Sequence, residues 1–321
     1  MSTPAVAATG LQSPWSIAFL ERTPIISERD TARILELLPG GELREIGVVE
    51  GVVHGGEGGL LGLAVDDERR LYAYSTGPNG NRIDRFAIEG APGALALGAR
   101  ETILDGVPSG RIHNGGRIRF GPDGMLYVGT GDASERGLAQ DPGSLGGKIL
   151  RMTPDGQAPP DNPFPGSLVY SLGHRNVQGL AWAPDGTLLA TEFGQDTWDE
   201  LNVIVAGGNY GWPVVEGVAG DPAFVDPVQQ WAPVDASPSG LAIAGGAAFV
   251  ANLRGASLRV VPLDDLAASE LRHPGEFGRV RDAVVGPDGS IWVLTSNTDG
   301  RGEPGPDDDR LVLIPPGAGG G

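Results

Sequence analysis

The chain has 321 residues, among them 53 glycines, 27 prolines and no cysteine, and a formal net charge of −18. The missing cysteines exclude disulfides and thiolate chemistry, and so acidic a surface argues against nucleic acid as a partner. No apolar run approaches the ~20 residues that would span a bilayer, yet 40% of residues are hydrophobic, enough for a substantial core.

Taken in order, the chain opens on Met1–Gly10, which lacks a basic region followed by an apolar stretch and so has no secretory pattern. Ala5–Thr9 is a first strand candidate. From there one unit recurs: a Gly or Ser, alternating apolar residues, a turn often spelled Pro-Asp-Gly, and a second alternating run. It begins at Ser16–Leu20, Gly62–Val65, Arg117–Gly124, Gly179–Gly186, Gly240–Ile243 and Asp282–Gly289. Its anchors, Phe19, Val65, Phe120, Trp182, Ile243 and Val285, lie 42 to 62 residues apart. Period-two alternation closed by a glycine turn signals a β-hairpin. Six such units, each with room for four strands, predict an all-β fold: one six-bladed β-propeller with four-stranded antiparallel blades, a single domain over 1–321. Pairing Ala5–Thr9 with the last candidate, Leu311–Ile314, would close the ring. Asp264–Leu271 is the best helical segment, a single surface turn. Thr298–Asp309 is expected to be a solvated loop and the final Gly-Ala-Gly-Gly-Gly a disordered tail.

In a propeller the loop entering each innermost strand opens at one end of the central channel. Polar residues just before the anchors should therefore converge there: Glu57, His113, Arg175, Gln178, Arg279 and Arg281. Lys148 is the only lysine, so the remaining 22 basic residues are arginines. Arginines gathered in an acidic protein suggest a local anion site, because guanidinium pairs carboxylates in bidentate fashion. His113, set between an arginine and two glycines in Arg111–Arg117, has a side chain able to take up a proton near neutrality.

The segments Ile112–Arg117, Gly129–Asp132, Ala139–Asp141, Gly146–Arg151, Asp161–Phe164, Ser171–Gly179, Asp199–Asn202, Gly208–Pro213 and Arg279–Asp282 occur in a familiar order. Together they resemble the glucose/sorbosone dehydrogenase family, and its shorter aldose sugar dehydrogenases more than its soluble quinoprotein glucose dehydrogenases. The resemblance covers roughly the whole chain. It implies a six-bladed propeller that oxidises the C1 hydroxyl of aldoses to lactones with pyrroloquinoline quinone (PQQ) and calcium. By position, His113 matches the catalytic base. Arg279 and Arg281 match the arginine pair beside the quinone, Arg175 and Asn176 flank the cofactor, and Gln140 binds it. Gly194 and Gln195 stand where two carbonyls hold the catalytic calcium, with Glu200 and Tyr210 at a second calcium site. Glu57 stands where relatives often carry Gln, and Arg254 where glucose enzymes use a lysine on the cofactor.

Those residue types suit the implied chemistry. PQQ is a tricarboxylate and needs guanidinium groups, and backbone carbonyls favour calcium over zinc. Two departures carry consequences. An ionised Glu57 facing an anionic cofactor is unfavourable unless protonated or calcium-linked. Ile112 replaces the acidic residue that would orient the histidine, so another group must do so. His174 is expected to be structural, His54 and His273 to be surface or loop residues, and Trp182, Trp212 and Trp292 to pack between blades. For Arg117 and Arg119, solvent and site are equal readings. The short segments between repeats imply an open sugar pocket and a monomer, and the resemblance implies a periplasmic or secreted protein passing electrons to an external acceptor. The rival reading is a non-redox propeller, either a ligand-binding module or a metal-dependent lactonase, with Glu57 as its axial carboxylate.

Overall fold

The Pro-Asp-Gly turns show why the repeat folds as it does. Gly124, Gly186 and Gly289 all adopt positive φ, the conformation that glycine enters without steric cost. Each donates its N–H back to the residue three earlier, at 2.9–3.0 Å. The preceding Asp123, Asp185 and Asp288 accept from the backbone two residues on, at 2.9–3.1 Å. Side chain and backbone thus turn the innermost strand of a blade into its neighbour.

The protein is described by a computed structural model covering residues 3–315. It contains six four-stranded antiparallel sheets. The first five blades span Pro14–Val48, Leu60–Val107, Ile118–Leu172, Val177–Trp231 and Pro238–Arg272. The sixth joins Val280–Val285, Ile291–Thr295 and Leu311–Ile314 to the N-terminal strand Ala5–Ala8. Ala5 pairs with Leu313 and Val6 with Val312, so the ring closes as expected. The six anchors all lie on innermost strands, which touch one another around a closed circuit.

Alternation places one face of each sheet against the next blade. Ile17, Ile26 and Leu35 of the first blade meet Val284, Leu294 and Leu311 of the sixth. On its other side Ile25 and Ile34 pack with Leu63, Leu71 and Ala73 of the second. Burying each of these Ile, Leu and Val side chains contributes about 1.5–3 kcal/mol. Trp292 stacks edge-on against Phe19, and Trp182 against Tyr127, bridging blades as expected.

Three expectations are corrected. Asp264–Leu271 forms no helical turn: the segment is a loop ending in the outer strand Glu270–Arg272. Thr298–Asp309 is not uniformly solvated, because Asp309 is fully buried. Its carboxylate accepts from Thr295 Oγ1 and from the backbone of Asn297 and Thr298, tying the loop to the blade. Glu57 is not the lone axial carboxylate, since Asp282 is fully buried in the channel beside Arg117. The expected disordered tail lies outside the described residues. Among the described residues no helix is long and apolar enough to cross a membrane; the one helix is the 3-10 segment Arg136–Gln140.

Candidate active site

His113 takes a left-handed backbone, φ 61°, which costs a residue with a Cβ on the order of 1 kcal/mol or more. Three neighbours hold it there. The Glu57 carboxylate accepts its backbone N–H at 2.9 Å. Its carbonyl accepts the Ala133 N–H at 3.1 Å. Gly131 packs so close that a Cβ would sit 1.9 Å from the His113 carbonyl oxygen. The imidazole is set by Asp132, whose Oδ1 lies 2.7 Å from Nδ1.

Asp132 is itself fixed. Its Oδ1 accepts from Ser134 N at 2.8 Å and its Oδ2 from the indole N–H of Trp212 at 2.8 Å. Burial works to raise this carboxyl, but bonds from His113, Ser134 and Trp212 outweigh it and hold the acid below its ordinary value. An ionised Asp132 keeps the proton of a neutral imidazole on Nδ1, leaving Nε2 as the acceptor.

Beside this pair the arginines gather. Arg279 and Arg281, two residues apart, share Asp299 at 3.2 and 3.7 Å. Arg281 also donates to Gln178 Oε1 at 2.8 Å. Burial pulls its guanidinium below the ordinary value against the opposing pull of Asp299, with Arg29 and Arg279 adding to the depression. Arg175 lies over the Trp212 ring, 5.3 Å from its centroid, and donates to the carbonyls of Phe193 and Gly194 at 3.2 and 2.5 Å. Among the described residues it has no carboxylate partner, and burial lowers its pKa. The Nε atoms of Arg175, Arg279 and Arg281 and Nδ2 of Asn176 are buried without hydrogen-bond partners among the described residues. Donors left over around a cationic cluster fit a polyanionic ligand.

Other expected residues sit one layer below. Asn176 is fully buried and accepts the Gly115 N–H at 2.9 Å, bracing the turn after His113. Gln140 exchanges hydrogen bonds with Asn209 and donates to the Trp212 carbonyl at 2.7 Å, so both ends of its amide are engaged beneath the indole. Glu57 uses its second oxygen on Arg301, at 3.1 Å. Arg254 is not brought into the cluster: it is exposed on a turn of the fifth blade, lining a separate groove with Trp198 and Gln230.

Among the described residues no three His, Cys, Asp or Glu side chains are grouped to hold a metal, so a metal here would draw on carbonyl oxygens. Gly194 and Gln195 belong to a tight loop. Glu216 Oε1 accepts the backbone N–H groups of Gln195, Asp196, Thr197 and Trp198 at 2.6–3.2 Å, and Asp199 accepts that of Gly194 at 2.9 Å. The Gly194 carbonyl already meets positive charge from Arg175, which fits a hard-cation donor. Glu200 is pushed up to about 8 by burial and by Glu192, its partner across the strand pair. A cation would relieve that pairing. The Tyr210 hydroxyl is occupied, donating to Val203 O at 2.7 Å and accepting from Val205 N at 2.8 Å, so only its backbone could serve as a ligand.

Four participants escaped sequence reasoning. Asp132 lies in Gly129–Asp132, a segment visible as a motif but given no role. Trp212 was expected to pack between blades, whereas its N–H serves Asp132. Asp299 and Arg301 sit in the loop expected to be solvated, yet the Asp299 side chain is 1% exposed. His174 is structural as expected, fully buried between Ser171 and Glu192 and stacked on Tyr210.

Comparison with known proteins agrees with this geometry. The family model described as Glucose / Sorbosone dehydrogenase matches residues 11–304. The structure resembles the PQQ-bound form of an aldose sugar dehydrogenase from Streptomyces coelicolor, with TM-score 0.93, 50% identity and 97% of each chain covered. The chain is 30% identical to aldose sugar dehydrogenase YliI of Escherichia coli over 91% of its own length and 89% of that protein. It is also 35% identical to quinoprotein glucose dehydrogenase B of Acinetobacter calcoaceticus over 62% of its length, spanning 49% of that longer relative. By its propeller, its arginine-lined mouth and the family match across its length, the chain belongs to the glucose/sorbosone dehydrogenase family of sugar oxidoreductases.

Proposed function

We propose that this protein oxidises the C1 hydroxyl of aldoses to lactones, with PQQ and calcium at the channel mouth. The observation that carries this reading is an imidazole held by a buried carboxylate beside arginines whose Nε atoms have no partner. PQQ, when bound, supplies the acceptor for the hydride that leaves C1. Arg175, Arg279 and Arg281 would hold its carboxylates, and the Gly194 and Gln195 carbonyls would hold calcium. The Glu57–Arg301 pair supplies a third way to seat a carboxylate near an anion, by neutralising it in place.

His113 Nε2 takes the proton of the C1 hydroxyl as hydride departs, and Asp132 stabilises the imidazolium that results. Glu57 and Gly131 hold the ring in register with the substrate. Part of the same reading are a monomer outside the cytoplasm, an external electron acceptor, and a pocket open enough to admit oligosaccharides as well as glucose.

The test is spectral. Titrating purified protein with PQQ and calcium should give a quinone absorption that glucose bleaches, and His113→Ala should retain the absorption but lose most of the bleaching. Absence of bleaching together with lactone hydrolysis would instead favour the hydrolase alternative.

A further inference from the structure

At the end of the channel away from His113, the innermost strands open into a cavity of about 480 Å³. Its wall is the ring of anchors, Phe19, Val65, Phe120, Trp182, Ile243 and Val285, one from each blade. Among the described residues Arg119 is the sole charged one lining it. Its side chain is 21% exposed and loosely held: one nitrogen is 3.3 Å from the Ile17 carbonyl, another 3.9 Å from Asp282.

Asp282 cannot neutralise it. That carboxylate is already bonded to Arg117 at 2.9 Å and to the backbone N–H groups of Ile17 and Ala283 at 2.9 and 3.0 Å. Arg117 is completely buried, and its Nη2 has no partner among the described residues. Two guanidiniums therefore share one carboxylate at the floor of an apolar cup, leaving a surplus positive charge in a protein of net charge −18. Cavities of a few hundred Å³, apolar with a single well-placed charge, are the common form of small-molecule sites.

We propose that this cavity binds a small monocarboxylate with an aromatic or branched apolar body. The carboxylate pairs with Arg119, whose planar fork suits two parallel hydrogen bonds. The apolar body lies against Phe19, Trp182 and Ile243. Neither half of the ligand suffices: without the body the anion stays hydrated, and without the charge the guanidinium loses water without recompense.

Calorimetric titration with 4-bromobenzoate tests this. One saturable site is expected, with 4-bromobenzyl alcohol and acetate each at least about tenfold weaker. Arg119→Met should weaken the benzoate to the level of the alcohol. Ala181→Phe, which fills the cup and leaves the arginine, should weaken both, and melting curves establish that each variant is folded. In crystals the bromine should give an anomalous peak between Phe19 and Trp182. No saturable binding, equal affinity for the alcohol, or binding untouched by both substitutions would overturn the assignment; the last outcome would move the ligand to the arginines at the opposite mouth. None of these readouts depends on PQQ.

Discussion

A histidine in a left-handed conformation is costly, and the groups that maintain it at His113 reveal what it is for. Glu57 bonds its backbone and Asp132 its ring, so position and tautomer are set by separate carboxylates. Replacing Asp132 with Asn keeps the shape but can present the wrong tautomer. Steady-state kinetics of Asp132→Asn should show kcat lower by about 10²–10⁴ with a far smaller change in KM. Glu57 and Arg301 form a coupled pair at the mouth, the carboxylate 16% and the guanidinium 46% exposed. On the proposed reading, Arg301→Gln would leave a bare carboxylate beside the bound quinone and should weaken PQQ binding several-fold. Adding Glu57→Gln should restore it, so a double-mutant cycle by quinone titration should give clear non-additivity. Asp132 could have been suspected once Ile112 was seen to lack a carboxylate, since something acidic had to orient the imidazole. Arg301 could not: 244 residues separate it from Glu57, and nothing local to a Gly-rich loop indicates such a partner.

Single elements hold the loop that carries the Gly194 and Gln195 carbonyls. The loop after Glu192–Gly194 has its N–H groups turned onto one oxygen of Glu216, a concentration of amide dipoles that suits a carboxylate. Glu216→Gln should keep the fold but loosen this loop. Amide exchange of Gln195–Trp198 should accelerate, and on the proposed calcium reading the cation should be needed at roughly tenfold higher concentration for the same quinone absorption. The 3-10 turn Arg136–Gln140 is pinned differently. Lys148, the one lysine, is fully buried and donates to the carbonyls of Leu138, Ala139 and Gly146 at 2.5–3.1 Å. Burial draws its pKa down to about 8, with Asp141 opposing. The same turn carries Gln140 and so supports Trp212 and Asp132 from below.

Over the whole molecule the ring is closed by four residues at one end of the chain against four at the other. Deleting residues 1–9 would leave Leu311–Ile314 as an unpaired edge, exposing a template for association. Its melting midpoint should fall by roughly 5 °C or more, with concentration-dependent aggregation on heating, as read by calorimetry and light scattering. The paired ends were legible because the apolar strand candidates at the two ends of the chain lie outside the six repeated hairpins and have few other partners. The architecture was legible for a similar reason: alternation and Pro-Asp-Gly turns are local, and six copies of a local rule dictate a ring. The motifs likewise named the family and put His113, Arg175, Arg279 and Arg281 at one mouth, because the loop before each inner strand opens there. Tertiary structure alone decided which groups meet across blades. Asp299 reaching two arginines, Trp212 reaching Asp132, and Asp282 shared between Arg117 and Arg119 are pairings set by the radius and stagger of the closed ring. Those quantities arise from all six sheets packing together, and no stretch of sequence carries them.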